Sequence, residues 1–129
     1  MPAKRILCVD DDADTCDLLK AMLGTAGLDV ITVPDADEAL RLIASERFDL
    51  YVLDSEMPGF SGLTLCHRIR AVDTHTPIVI FSGHGYESHR QAGMLAGANV
   101  YLVKPDVTEL IPTVKRLLEG VDAASETTL

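Results

Sequence analysis

One alternation constrains this chain more than any other feature. Five short runs rich in β-branched residues are each followed by a segment of helical periodicity. The runs are Arg5 to Asp10, Asp29 to Val33, Asp49 to Leu53, Pro77 to Phe81 and Asn99 to Val103. Several are almost continuously apolar, the pattern of strands covered on both faces. After them, apolar residues recur at three- and four-residue spacing. The stripes are Leu19, Met22, Leu23 and Ala26; Ala36, Ala39, Leu40 and Ile43; Leu65, Cys66 and Ile69; and Leu110, Val114, Leu117 and Leu118. A helix over about Glu87 to Gly97 completes the series, with Gly93 an unfavourable residue inside it. Strand–helix units in this order imply an α/β fold: a parallel sheet with helices on both faces and right-handed crossovers.

The boundaries carry their own chemistry. Asp35 with Glu38, and Asp106 with Glu109, read as capping boxes. Asp12 and Ser61 are placed to cap the first and third helices, and Gly27 to close the first at positive φ. Pro112 removes a helix hydrogen bond, so the last helix is either kinked there or starts late. Residues after about Gly120 read as a polar, frayed tail or the start of a linker.

At 129 residues and 47% hydrophobic, the chain suits one domain with its own core and is too apolar for disorder. No apolar run nears the ~20 residues that span a bilayer, and Ile6 to Val9 is too short for a signal-peptide core. A cytoplasmic protein without membrane attachment is expected. Twenty acidic against 11 basic side chains give a net charge of −9, with no basic stripe to neutralise phosphates, so no direct nucleic acid contact is expected. Cys8, Cys16 and Cys66 are odd in number and lack Cys-x-x-Cys spacing, which suits reduced thiols in a core.

In a parallel α/β sheet, sites form beyond the carboxyl ends of the strands, near the switch in strand order. Here those ends carry Asp10-Asp11-Asp12, Asp54, Ser82 and Lys104. Taken singly, each has a structural explanation as cap, turn former or solvated loop residue. Gathered on one sheet edge, the carboxylates repel and need a cation. Magnesium fits, because it takes hard oxygen ligands and commonly uses one or two carboxylates plus phosphate oxygens. A strand-end aspartate can attack phosphorus to give an acyl phosphate. Metal and Lys104 would then neutralise the equatorial oxygens, with Ser82 donating to one of them.

Four segments in order, Ile6-Leu7-Cys8-Val9-Asp10-Asp11, Leu53 to Gly62 (LDSEMPGFSG), Ile80-Phe81-Ser82-Gly83 and Val103-Lys104-Pro105, resemble the receiver domain of two-component response regulators. The resemblance covers roughly residues 4–119 and includes the single-domain chemotaxis type. It implies a flavodoxin-like (βα)5 doubly wound five-stranded parallel sheet of order 2-1-3-4-5. It also implies that Asp54 is the phosphoacceptor, charged by a sensor histidine kinase or histidine phosphotransfer protein in a magnesium-dependent reaction. Asp11 would hold the metal directly and Asp10 largely through water, with Asp54 and the backbone carbonyl of Glu56 completing the protein's share. Lys104 would pair with a phosphoryl oxygen, its bond to Pro105 being cis, and Ser82 and Tyr101 would form the switch that turns inward.

Three positions depart from the commonest pattern of that family. Glu56 and His84 occupy the two rim positions that influence loss of the phosphoryl group to water. We expect them to approach each other across the site and hinder the attacking water, so that the charge on His84 alters phosphoryl lifetime. The third is Asp106, where an aromatic often follows Lys-Pro. Gly83 and Gly85 flank His84 and favour a mobile loop. His67, His75 and His89 lack metal-ligand spacing and are expected on the surface.

The sequence therefore reads as a phosphoacceptor signalling module that catalyses only its own phosphorylation and dephosphorylation and acts through a downstream protein target. It is either a stand-alone regulator or a receiver cut from a longer chain, and a phosphorylation-dependent dimer is compatible with it. The alternative is a phosphorylation-independent pseudo-receiver, which would normally lack one of Asp11, Asp54 or Lys104. An aspartate-nucleophile phosphatase is disfavoured because Glu56, not a second Asp, stands two residues after Asp54. A flavin binder is disfavoured by the absent phosphate loop and the few aromatics.

Overall fold

The computed structural model describes residues 2–57 and 60–127, with 121–127 described as backbone alone. Expectations that touch Pro58 and Gly59, or the side chains of 121–129, lie outside the described residues. The strands are β1 (Arg5–Val9), β2 (Asp29–Val33), β3 (Leu50–Leu53), β4 (Ile78–Ser82) and β5 (Val100–Val103). They alternate with α1 (Ala13–Thr25), α2 (Ala36–Ser45), α3 (Gly62–Val72), α4 (Glu87–Leu95) and α5 (Leu110–Thr127). All pairings are parallel, in the order β2-β1-β3-β4-β5. β1 lies between β2 and β3, with Cys8 opposite Thr32 on one side and Val52 on the other.

The two-residue period of the strands divides the core into two layers. Leu7, Val9, Leu53, Ile78 and Ile80 pack with Ala36 and Ala39 of α2 and Leu65, Cys66 and Ile69 of α3. Their alternates Ile6, Cys8, Val52, Val79 and Phe81 pack with Leu19 and Leu23 of α1 and Leu110, Val114 and Leu118 of α5. Central strands covered on both sides explain why β1, β3 and β4 lack polar alternation. Leu7, Leu53 and Ile80 are fully buried, each contributing about 1.5–3 kcal/mol of transfer free energy. The cysteines are free, with Cys8 and Cys66 buried as expected of core thiols. Burial raises the Cys8 thiol far above its ordinary value, which keeps it protonated.

The caps follow the sequence closely in the first half. Asp12 Oδ1 accepts the Asp14 amide at 3.3 Å and Asp12 Oδ2 the Thr15 hydroxyl at 2.7 Å. Asp35 Oδ1 accepts the Glu38 amide at 2.8 Å, and Ser61 Oγ the Leu63 amide at 3.0 Å. Gly27 follows α1 at φ +86°.

The last helix differs at both ends. Asp106 does not cap it: Oδ1 of Asp106 accepts the amide and hydroxyl of Thr108 at 2.9 and 2.6 Å, closing a local turn. α5 therefore starts late, at Leu110. Pro112 then falls in its first turn, where no intrahelical partner exists for an N–H to lose. At the other end the helix continues to Thr127 instead of fraying after Gly120, because Val121-Asp122-Ala123-Ala124-Ser125-Glu126 contains no Gly or Pro to stop it.

Candidate functional site

The parallel ladder delivers its polar residues to one edge. The Asp54 amide donates to Val9 O at 2.9 Å and the Asp10 amide to Val33 O at 3.1 Å, so pairing runs one residue past β1 and β3. The Lys104 amide donates to Ser82 O at 2.7 Å, which fixes the end of β5 against the end of β4. Lys104–Pro105 is cis, as the resemblance implies.

These anchors bring Lys104 Nζ to 2.7 Å from Asp10 Oδ2 and 3.5 Å from Asp54 Oδ1. Asp10, only 3% exposed, also accepts the Asp12 amide at 2.9 Å through Oδ1. Carboxylate oxygens of Asp10, Asp11 and Asp54 lie within 4.8 Å of one another, with Asp10 and Asp54 buried and Asp11 exposed. Lys104 thus meets two of the three clustered carboxylates. Burial first, and then the charge of Asp10, push the Asp54 carboxyl above the usual carboxylate range against the pull of Lys104. Burial alone would lower the Lys104 ammonium, but the hydrogen bond and charge of Asp10, with Asp54 behind it, leave it above the ordinary lysine value. A surplus of hard anionic oxygens, open to solvent on the Asp11 side, is the donor set that suits a magnesium ion.

Ser82 ends β4 fully buried, with its hydroxyl hydrogen-bonded to that of Ser55 and accepting the His84 amide at 3.1 Å. Tyr101 is buried on β5, and its hydroxyl donates to the His84 carbonyl at 2.7 Å. On the rim, His84 Nε2 lies 2.8 Å from Glu56 Oε1, so these two side chains meet as expected.

The sequence missed several members of this cleft of about 820 Å3. His89 is not a surface residue. It is half-buried, stacked on His84 with ring centroids 4.7 Å apart, and its Nδ1 is buried without a hydrogen-bond partner. Its position in the first turn of α4 places it there, a juxtaposition that ligand spacing cannot reveal. Ser55, Met57 and Leu63 also line the cleft. Gly62 has the clearest missed role: a Cβ there would lie 1.7 Å from Asp54 O, and its amide donates to Ser55 O at 3.0 Å. A glycine at the first position of a helix beginning eight residues after a strand-end aspartate was the available signal.

Comparison with known proteins agrees with this geometry. The response regulator receiver domain family matches residues 6–115. The chain is 42% identical over 115 residues to the transcriptional regulatory protein PrrA of Mycobacterium tuberculosis, covering 88% of this chain and 49% of that protein. It is 41% identical over 115 residues to the response regulator MprA of Mycolicibacterium vanbaalenii, covering 88% and 50%. The chain spans about half the length of the curated relatives it matches. Among solved structures it resembles a CheY-like receiver domain protein of Methanospirillum hungatei, with a TM-score of 0.89, 28% identity and coverage of 95% of this chain and 98% of that one. It also resembles the response regulator TrrA of Thermotoga maritima in complex with Mg2+-BeF, with a TM-score of 0.80, 37% identity and coverage of 88% and 98%.

The acidic pocket of Asp10, Asp11 and Asp54 is of the type that binds magnesium in such domains. Receiver domains are regulatory switches, not classical enzymes, and they interact with histidine kinases or phosphotransfer proteins. Among the described residues no helix is long and apolar enough to cross a membrane. By family match, fold and strand-end residues together, the chain belongs to the response regulator receiver domains of two-component signalling.

Proposed function

We propose that Asp54 is the phosphoacceptor of this domain and that its phosphorylation switches what the domain binds. The observation that carries the reading is Lys104 Nζ lying between Asp10 and Asp54, within 4 Å of both. In the transfer, an Asp54 carboxylate oxygen attacks the phosphorus of a phosphohistidine. The P–N bond breaks, the imidazole leaves with the electron pair and takes up a proton, and an acyl phosphate remains. Lys104 holds its proton and offers a fixed positive charge to the developing equatorial oxygens, where phosphoryl transfer is chiefly catalysed. Asp11, Asp54 and the Glu56 carbonyl would hold a magnesium ion directly, and Asp10 largely through water. When bound, that ion supplies charge neutralisation of the phosphoryl oxygens.

Ser82 then releases Ser55 and donates its hydroxyl to a phosphoryl oxygen. Because Ser82 Oγ accepts the His84 amide and Tyr101 is tied to the His84 carbonyl, the loop after β4 and Tyr101 respond together. Glu56 and His84 stand over the acyl phosphate as a joined pair and hinder the water that would hydrolyse it. The phosphodonor is a sensor histidine kinase or histidine phosphotransfer protein in the cytoplasm, and the output is a contact with a downstream protein. PrrA, named a transcriptional regulatory protein, supports an output at transcription.

Beryllofluoride, which mimics the acyl phosphate, tests the assignment. Fluorine NMR of the protein with beryllofluoride and magnesium is expected to show a bound signal that is absent in chelator and in Asp54→Ala. A bound signal that survives Asp54→Ala would overturn it.

A further inference from the structure

Gly93 sits inside α4, where glycine weakens a helix relative to alanine. Its φ is not positive, so no backbone conformation demands it. The space around it does. A Cβ at position 93 would lie 2.8 Å from Tyr101 Cδ2, 3.3 Å from Tyr101 Cε2 and 3.0 Å from Ile80 Cδ1. Carbon atoms prefer about 3.5–4.0 Å, so the buried Tyr101 ring occupies the volume of the missing methyl. One turn earlier, Arg90 Nη1 donates to Tyr101 O at 3.0 Å, and the Arg90 guanidinium lies 5.6 Å from the centre of the Tyr101 ring. The far end of the ring is fixed by the bond from its hydroxyl to His84 O.

We infer that Gly93 and Arg90 form a seat on α4 that positions Tyr101 inward, and that the size of residue 93 sets how often the ring occupies it. The inference rests on the switch reading above and extends it. If the inward ring accompanies phosphoryl binding, residue 93 tunes the affinity of the Asp54 site from outside that site. A side chain that crowds the seat reduces the competent population, and apparent affinity falls in proportion. Gly93 is a positioning residue: it acts only through Tyr101.

Two readouts on Gly93→Ala test the seat. The first is nitration by tetranitromethane, located by peptide mass. In wild type, exposed Tyr86 is expected to react and buried Tyr101 to be protected, whereas in Gly93→Ala Tyr101 becomes reactive. The second is beryllofluoride affinity at saturating magnesium, expected to weaken about tenfold in Gly93→Ala. In a Tyr101→Ala background the same change is expected to shift affinity by less than about twofold, which a general loss of structure would not produce. Magnesium affinity without beryllofluoride is expected to stay the same. Alanine is the better helix former, so the variant is expected to fold. If it does not, Ile80→Val/Gly93→Ala, which clears Ile80 Cδ1, carries the same comparison. Tyr101 protection and beryllofluoride affinity both equal to wild type would overturn the seat, as would an equal loss of affinity with and without the Tyr101 ring. A wild type that shows no Asp54-dependent beryllofluoride binding would overturn the phosphoacceptor proposal, while the nitration comparison still decides the seat.

Discussion

Lys104 Nζ donates to Asp10 Oδ2 at 2.7 Å, joining groups 94 positions apart and placing an ammonium on a carboxylate that is 3% exposed. The pair is the permanent part of the site's electrostatics. Asp10 accepts the Asp12 amide through its other oxygen, so both of its oxygens are engaged whatever Asp54 carries. Lys104 is therefore shared between a fixed partner and a variable one.

Replacing Lys104 by Met leaves Asp10 buried without its cation. The expected loss is about 2 kcal/mol, below the range for fully buried pairs because Lys104 remains partly exposed. The raised pKa of Lys104 fixes the sign of its pH dependence. Its contribution is fully present below the unfolded lysine value and is lost only as pH rises through the folded one. Urea titrations of wild type and Lys104→Met should therefore show a constant gap from pH 6 to pH 8.

Asp54 shows the same sign in a lower pH window, and there it is the charged form that costs stability. Its folded pKa is raised, so stability falls as pH rises from the unfolded carboxylate value through the folded one, and the penalty is complete above it. In chelator at neutral pH, Asp54→Ala should equal or exceed wild type in stability, with the advantage vanishing near pH 4. Magnesium is expected to reverse the order by mass action, adding about 2.7 kcal/mol to wild type at a hundredfold excess over its dissociation constant. Denaturation curves in chelator and in magnesium, at both pH values, check both statements.

Gly62→Ala should be the most damaging small substitution near the site. Its Cβ would collide with the Asp54 backbone, at 1.7 Å from the carbonyl oxygen and 2.7 Å from the carbonyl carbon. Backbone cannot step aside as a flexible side chain does, so we expect a loss of about 3 kcal/mol or more. Equilibrium unfolding measures it directly. Gly24→Ala, with open space at its Cβ, is the neutral comparison.

The rim pair predicts a non-additive result. Because Glu56 Oε1 and His84 Nε2 are in contact, removing either should release the other. Glu56→Ala, His84→Ala and the double variant are expected to shorten the acyl phosphate lifetime by similar factors. Loss of the phosphoryl group followed by mass spectrometry gives the three rates, and multiplied effects in the double variant would show that the residues act separately.

How much of this was legible in the sequence depends on range. The strands were readable to within a residue because central parallel strands are apolar on both faces, and Asp12, Asp35 and Ser61 because a cap acts within three residues. Asp54, Asp11 and Lys104 were recognisable as strand-end chemistry, and the resemblance assigned their roles and the strand order. The stacking of His89 on His84, the Ser55–Ser82 contact and the clearance at Gly93 were not readable. Each depends on how two separate elements pack against each other, which the residue pattern of either one does not record. Asp106 misled because acid at i and i+3 fits a capping box and a Thr108 turn equally well, and only the actual start of α5 separates them.

The central claim is that Asp54 carries a phosphoryl group with the help of Lys104 and a divalent cation. Its most direct test is intact mass analysis after incubation with magnesium and a small phosphodonor such as acetyl phosphate. Wild type is expected to gain one phosphoryl group, Asp54→Ala none, and wild type in chelator none. A phosphoryl group retained by Asp54→Ala, or gained equally in chelator, would contradict the account.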